Sequence, residues 1–258
     1  MNYELMENNK VFLKGEVVST PVFSHEVFGE GFYELSLRVK RLSENYDIIP
    51  ITVSERLLSN NKFSVGREVF VKGQFRSYNK QVENKSKLLL TVFVRDLIED
   101  ENVDINPNII ELSGFVCKEP IYRTTPFKRE ICDVLLAVNR AYNKSDYLPC
   151  IAWGRNARFV KNIKVGGKIS IIGRIQSRTY QKRLSETEVE NKVAYEISIS
   201  KIKLEETEQT PAEEISDKKS ENLISLKNDF ENYNQNVIEE SCWLKKSITF
   251  FMFKTIEC

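Results

Sequence analysis

At 258 residues, with 41% hydrophobic and 29% charged side chains, the chain has a globular profile and room for two domains that each bury a core. It holds no run of about 18 apolar residues, so no membrane span is expected, and its opening MNYELMENNK lacks the apolar stretch of a secretory signal. Cys117, Cys132, Cys150, Cys242 and Cys258 form no CxxC pair and have one histidine, His25, to assist them, which argues against a zinc site and for a reducing, cytoplasmic setting.

The net charge of +1 averages three unlike segments: residues 1–105 carry 14 basic against 16 acidic side chains, residues 106–204 carry 18 against 9, and residues 205–258 carry 6 against 12. A basic middle between two acidic flanks points to a polyanion as the partner of the middle, although a solvated basic face has the same composition.

The chain repeats itself. Asn9, Gly15, Val17 and Pro21 of NKVFLKGEVVSTP fall, at an offset of 99, on Asn108, Gly114, Val116 and Pro120 of NIIELSGFVCKEP. The same offset carries Leu37, Val39, Arg41, Asp47 and Pro50 onto Leu136, Val138, Arg140, Asp146 and Pro149. One inserted residue later, Val65, Gly66, Gly73 and Ser77 fall on Val165, Gly166, Gly173 and Ser177. In the first copy VFLKGEVVSTPVF, FYELSLRV, DIIPITV, EVFVKGQFRSY and KLLLTVFV alternate apolar and polar positions as strands do, and IIELSGFV, ICDVLLAVN, YLPCIAW, KISIIGRIQSRTY and VAYEISISKI follow in the second. SERLLSNN and NARFVKNI, each followed by Val-Gly, are short helix candidates between the third and fourth strands. Five strands with one helix after the third is the element order of an OB-fold barrel. The expected architecture is therefore all-β: two tandem five-stranded OB-fold barrels over residues 1–104 and 105–204, then a disordered acidic tail over 205–258. Gly15, Gly73, Gly114 and Gly173 fit positions where a closing barrel bends sharply.

Within the second copy, residues 139–159 read NRAYNKSDYLPCIAWGRNARF, with Tyr142, Tyr147 and Trp153 set among Arg140, Lys144, Arg155 and Arg158. Rings stack unstacked bases and cations track phosphates, so this mixture suits a single-stranded nucleic acid. Tyr147 and Trp153 stand six apart and share one strand face, while Cys150 and Ala152 take the other, which suits a barrel interior. The plainer alternatives are a core aromatic at Trp153 and an ordinary surface tyrosine at Tyr180.

NIIELSGFV…P, LLAVNRAY, YLPCIAWGRNARF and VGGKISIIGRIQSRTY, in that order, resemble the bacterial single-stranded DNA-binding protein family, closely over about 108–203 and more weakly over the first copy. The two-copy form resembles tandem-OB members of some Gram-positive bacteria. The resemblance implies sequence-tolerant binding and protection of single-stranded DNA in replication, recombination and repair, in a cytoplasmic, nucleoid-associated protein. It assigns base stacking to Tyr142, Tyr147, Trp153 and Tyr180, the last placed in a basic loop beyond the fourth strand. Arg123, Arg140, Arg155, Arg174, Arg178 and Lys182 lie near these rings in sequence and are expected to contact phosphates or stack on bases. Because family members commonly present four OB domains, two per chain imply a homodimer.

The first copy has Leu42 or Ser43, Ile48 and Ser54 where the second has Tyr142, Tyr147 and Trp153, and keeps a ring only at Tyr78, near the position of Tyr180. It is expected to be mainly architectural, packing against the second copy or forming the dimer, with Arg38, Lys40, Arg41, Arg76 and Lys80 as the opposing sign that it still follows a strand. After Leu204 the tail EETEQTPAEEISDKKSEN runs to CWLKKSITFFMFKTIEC, which lacks the acidic tip through which the family recruits replication and repair enzymes. Its Trp243, Phe250, Phe251, Met252 and Phe253 either dock on the barrels or mark an altered reading frame. No GxxxxGK[ST] or HExxH occurs, and neither a catalytic site nor a cofactor is expected. The alternative function is an OB-fold replication-restart or protein-interaction module with weak DNA binding.

Overall fold

The computed structural model describes residues 7–41, 43–58, 62–82, 85–98, 108–141, 144–183 and 189–205. The expectations for Leu42, Tyr142 and the tail beyond residue 205 lie outside them.

The first copy forms β1 (Asn9–Val17), β2 (Val22–Val27), β3 (Glu30–Lys40), β4 (Tyr46–Ser54), α1 (Glu55–Leu58), β5 (Glu68–Val82) and β6 (Lys85–Leu97). The second forms β7 (Asn108–Val116), β8 (Ile121–Thr124), β9 (Glu130–Asn139), β10 (Ser145–Trp153), α2 (Arg155–Val160), β11 (Lys168–Arg183) and β12 (Val189–Leu204). Strand β1 pairs with β3, β3 with β4, β4 in parallel with β6, β6 with β5, and β5 again with β1, so five strands close on themselves. Strands β7, β9, β10, β12 and β11 close the second ring in the same order. The run 11–23, read from sequence as one strand, breaks before Pro21, and β2 leaves the barrel as an arm on β3. Strand β8 is the matching arm on β9.

Alternation fills each interior. Val11, Leu13 and Val17 point inward from β1, Ile49, Ile51 and Val53 from β4, and Leu148, Cys150 and Ala152 from β10, all buried. At Gly173 the ladder to β12 slips by one residue, and a Cβ there would stand 2.5 Å from the carbonyl oxygen of Ser198. Only glycine admits so close an approach, which is why Gly73, at the same bend of β5, recurs in the first copy.

The two barrels share one twelve-stranded sheet, because β1 pairs antiparallel with β7 with Val11 opposite Ile110. Around this seam the duplicated residues bond reciprocally. Asp47 Oδ1 accepts Ser177 N–H at 2.7 Å and the Ser177 hydroxyl at 3.0 Å, while Asp146 Oδ1 accepts Ser77 N–H at 2.7 Å. Each carboxylate is 1% exposed and holds an arginine of its own copy, Arg41 at 2.6 Å and Arg140 at 3.2 Å.

The two halves of this junction are not equal. Arg41 grips both oxygens of Asp47, whereas Asp146 Oδ2 is buried with no hydrogen-bond partner. Burial accordingly pushes the Asp146 carboxyl above its ordinary value of 3.8, against the opposing pull of Ser77 N–H, Arg140 and Arg76. A carboxyl raised in the folded state favours folding most below its unfolded value, and that contribution is lost as pH rises through the folded value. Asp146→Asn is thus expected to flatten the fall in stability on leaving the acid range, measured by urea unfolding across that window. An unchanged pH profile contradicts this assignment.

Candidate nucleic-acid interface

Strand β10 places Tyr147 and Trp153 on its outer face, opposite the buried Leu148, Cys150 and Ala152. Six residues of extended chain set the two rings roughly 20 Å apart along the strand. Trp153 is 37% exposed and anchored by one bond, its Nε1–H donating to Ser198 Oγ on β12 at 3.2 Å. Tyr147 is half-buried, its hydroxyl pushed above the ordinary phenol range by desolvation, and its backbone N–H donates to Ser77 Oγ of the first barrel at 2.8 Å. The anchors hold the strand in place while the ring faces remain the variable part.

Cations rim this face in two conditions. Arg155 opens α2 directly after Gly154, whose φ of 51° ends the strand, and Arg178 lies on β11 in register with Ala194. Neither has an ion pair among the described residues. Arg174 reaches the Gln176 amide oxygen at 3.5 Å, and Gln176 in turn donates to Glu196 at 2.7 Å. Arg123 is held by both oxygens of Asp133, at 2.8 and 3.3 Å, and Arg140 by Asp146, so these two sit beside carboxylates that offset their charge. Arg158, Glu130 and Tyr122 form a further cluster, with Tyr122 donating to Glu130 and Lys161 lying 4.8 Å from the Tyr122 ring centre.

Tyr180 stands within β11, opposite Lys192, because β11 and β12 extend as a long ribbon where a loop was expected. It is half-buried, alternates with Arg178 and Arg174 on the outer side, and Lys182 follows two residues on in the same strand. Tyr78, its counterpart on β5, donates its hydroxyl to Glu34 at 2.9 Å, and burial together with that bond pushes the phenol well up. No group of three His, Cys, Asp or Glu able to hold a metal occurs among the described residues, and no helix there is long and apolar enough to cross a membrane.

A ring absent from the sequence comparison also appears. Phe93 on β6 lies on the outer face of the first barrel, with the guanidinium carbons of Arg76 and Arg95 at 4.3 and 5.4 Å from its centre. A constant offset of 99 or 100 compares Phe93 with Lys192 or Val193. The ladders instead match it to Ser198, because Gly73 faces Val94 whereas Gly173 faces Ile199. The longer second ribbon shifts the register by several residues, and only the pairing of the glycine bend with the last strand restores it.

Residues 107–204 match the model of the Single-strand binding protein family. Over 83 residues, 30% of this chain, the sequence is 34% identical to single-stranded DNA-binding protein 1 of Staphylococcus aureus (strain COL), covering 50% of that protein. Over 93 residues, 32% of this chain, it is 34% identical to the single-stranded DNA-binding protein of Bacillus anthracis, covering 54% of it. The chain thus spans about half the length of the curated relatives it matches. The fold resembles that of the wild-type single-stranded DNA binding protein from Thermus aquaticus, with a TM-score of 0.57 at 19% identity over 80% of this chain and 96% of that one. That span takes in both barrels. The match to the single-strand binding protein family thus rests on the second barrel, residues 107–204.

Proposed function

We propose that the chain binds single-stranded DNA with little regard to sequence and shields it during replication, recombination and repair. The observation that carries this reading is the pair Tyr147 and Trp153 on the outer face of β10, opposite a filled interior. An indole left 37% exposed on the outer face does not fill the interior, and a ring two residues from Arg155, which has no ion pair among the described residues, suits a base joined to its phosphate. The second barrel, within 105–204, is the main grip, with Tyr180, Arg174, Arg178 and Lys182 extending it along the β11–β12 ribbon. Two chains associating would present four barrels, which a solution mass of twice 30.0 kDa checks.

The test is a titration with dT oligomers of increasing length. Binding is expected to quench Trp153 and to weaken steeply with salt, the logarithm of affinity falling by roughly 0.7 per phosphate contact. Trp153→Ala is expected to lose ~1–3 kcal/mol, the value of one stacked base. Equal affinity for duplex, or indifference to salt, sinks the reading. Stable folding of Trp153→Ala with undiminished binding removes its central residue.

A further inference from the structure

On the outer face of the first barrel the ring is displaced to the neighbouring strand. In the second barrel β10 carries Trp153 and β12 carries Ser198, joined by a hydrogen bond. In the first, the position of Trp153 is Ser54, buried on β4, and the position of Ser198 is Phe93 on β6. Phe93 and Ser198 sit alike in their parallel ladders, opposite Thr52 and Ile151. Ring and serine have changed places across one strand pair, and each face keeps one large ring.

The polar groups around that ring are exchanged as well, with Gln74 and Arg76 where the second barrel has Arg174 and Gln176. Where the second barrel has Gln176 bonded to Glu196, the first has Arg76 opposite Thr91. Arg76 and Arg95 both donate to one neutral acceptor, Gln74 Oε1, at 2.8 and 3.2 Å, and neither forms an ion pair among the described residues. Arg76 Nε is buried with no partner. Arg140 of the second barrel lies close enough to repel both, and burial together with this repulsion pushes Arg76 down to about 10. Two guanidinium groups therefore gather around one amide and one ring, with donor capacity left over and with Arg140 of the other barrel near enough to repel them. Phe32 lies 5.5 Å from Phe93 and stacks with the exposed His25 ring at 5.1 Å.

We propose that this cluster is a second subsite for single-stranded DNA, in which Arg76 and Arg95 hold a backbone phosphate and the arginine-capped Phe93 ring receives the adjoining base. A phosphate supplies the paired acceptors that a planar guanidinium fork matches, and a guanidinium lying on a ring offers a flat cationic surface to a base. Arg140, beside Asp146 at the seam, carries the strand across from the second barrel. The inference rests on the reading of the second barrel as a grip for single strands. It adds that the first barrel contributes binding through residues with no counterpart in the second.

The experiment compares wild type, the double variant Arg76→Gln/Arg95→Gln, Phe93→Leu and Trp153→Ala on dT oligomers of roughly 8 and 32 nucleotides, since one OB barrel covers roughly 4–16. The double variant is expected to hold the short oligomer as wild type does. On the long one it is expected to lose on the order of tenfold and to shed about 0.7 from the salt slope, one phosphate's worth. It is expected to unfold at or above the wild-type temperature, because removing crowded like charges does not harm the fold. Phe93→Leu keeps the charges and an apolar side chain, so it is expected to weaken the long oligomer without altering the slope. Wild-type affinity and slope in the double variant, with Trp153→Ala weakened, overturn this inference and leave the second-barrel reading standing. Failure of the wild type to bind dT overturns both, and a double variant that loses stability together with short-oligomer binding assigns the cluster to packing instead.

Discussion

Replacing Asp47 with alanine is expected to cost about 3–5 kcal/mol of folding stability, the range for breaking a buried ion pair on one side. The side chain is 1% exposed and holds four donors: Ser177 N–H at 2.7 Å, the Ser177 hydroxyl at 3.0 Å, and Arg41 through Nε at 2.8 Å and Nη2 at 2.6 Å. Its loss strands a backbone N–H and leaves a partly buried guanidinium with the Ser177 carbonyl, at 2.9 Å, as its remaining acceptor. The damage falls on the seam, so β1–β7 pairing and the reach of β4 toward β11 are the contacts that weaken. Asp146→Ala is expected to cost less, since that carboxylate has one unpartnered oxygen and a single bond to its arginine. Urea unfolding of the two alanine variants measures both values, and an equal or smaller cost at Asp47 overturns the ranking.

This junction was half legible in the sequence. The recurrence of Arg41, Asp47 and Ser77 as Arg140, Asp146 and Ser177 is visible as identity at an offset of 99, and of 100 after one inserted residue, but identity does not say that the partners cross over between copies. Crossing depends on β1 meeting β7 edge to edge, a long-range event that alternation along each strand does not encode. The barrels themselves are legible because Leu148, Cys150 and Ala152, or Ile49, Ile51 and Val53, alternate at the two-residue period of a strand with one face inward. The same alternation places Tyr147 and Trp153 outward. Spacing does not reveal which cations are engaged: Arg123 and Arg155 read alike in sequence, yet Arg123 is bound to Asp133 ten residues away across a strand pair. Phe93 is hidden for a different reason, a change in ribbon length between copies that only the ladder to the glycine bend corrects.

The double variant Tyr147→Ala/Trp153→Ala is expected to lose roughly 2–6 kcal/mol of binding to dT oligomers, two stacked bases' worth. That amounts to a loss of about 30-fold at the low end and more than 10,000-fold at the high end. Stability is expected to change far less, for a reason internal to the chain. The first copy carries Ile48 and Ser54 at the same two positions and closes into the same five-stranded ring. The bonds that locate β10 are backbone or belong to other residues: Tyr147 N–H to Ser77 Oγ survives truncation of the ring, and Leu148, Cys150 and Ala152 still fill the interior. Among the described residues the one side-chain bond forfeited is Trp153 Nε1–H to Ser198 Oγ, at a site already 37% exposed, where water replaces the donor. Parallel titration and thermal unfolding of the variant separate the two effects. A large fall in both assigns the rings to the fold, whereas a large fall in binding with the melting temperature nearly kept assigns them to the strand. The second outcome is the one that the paralogous barrel predicts, since it has folded without those rings.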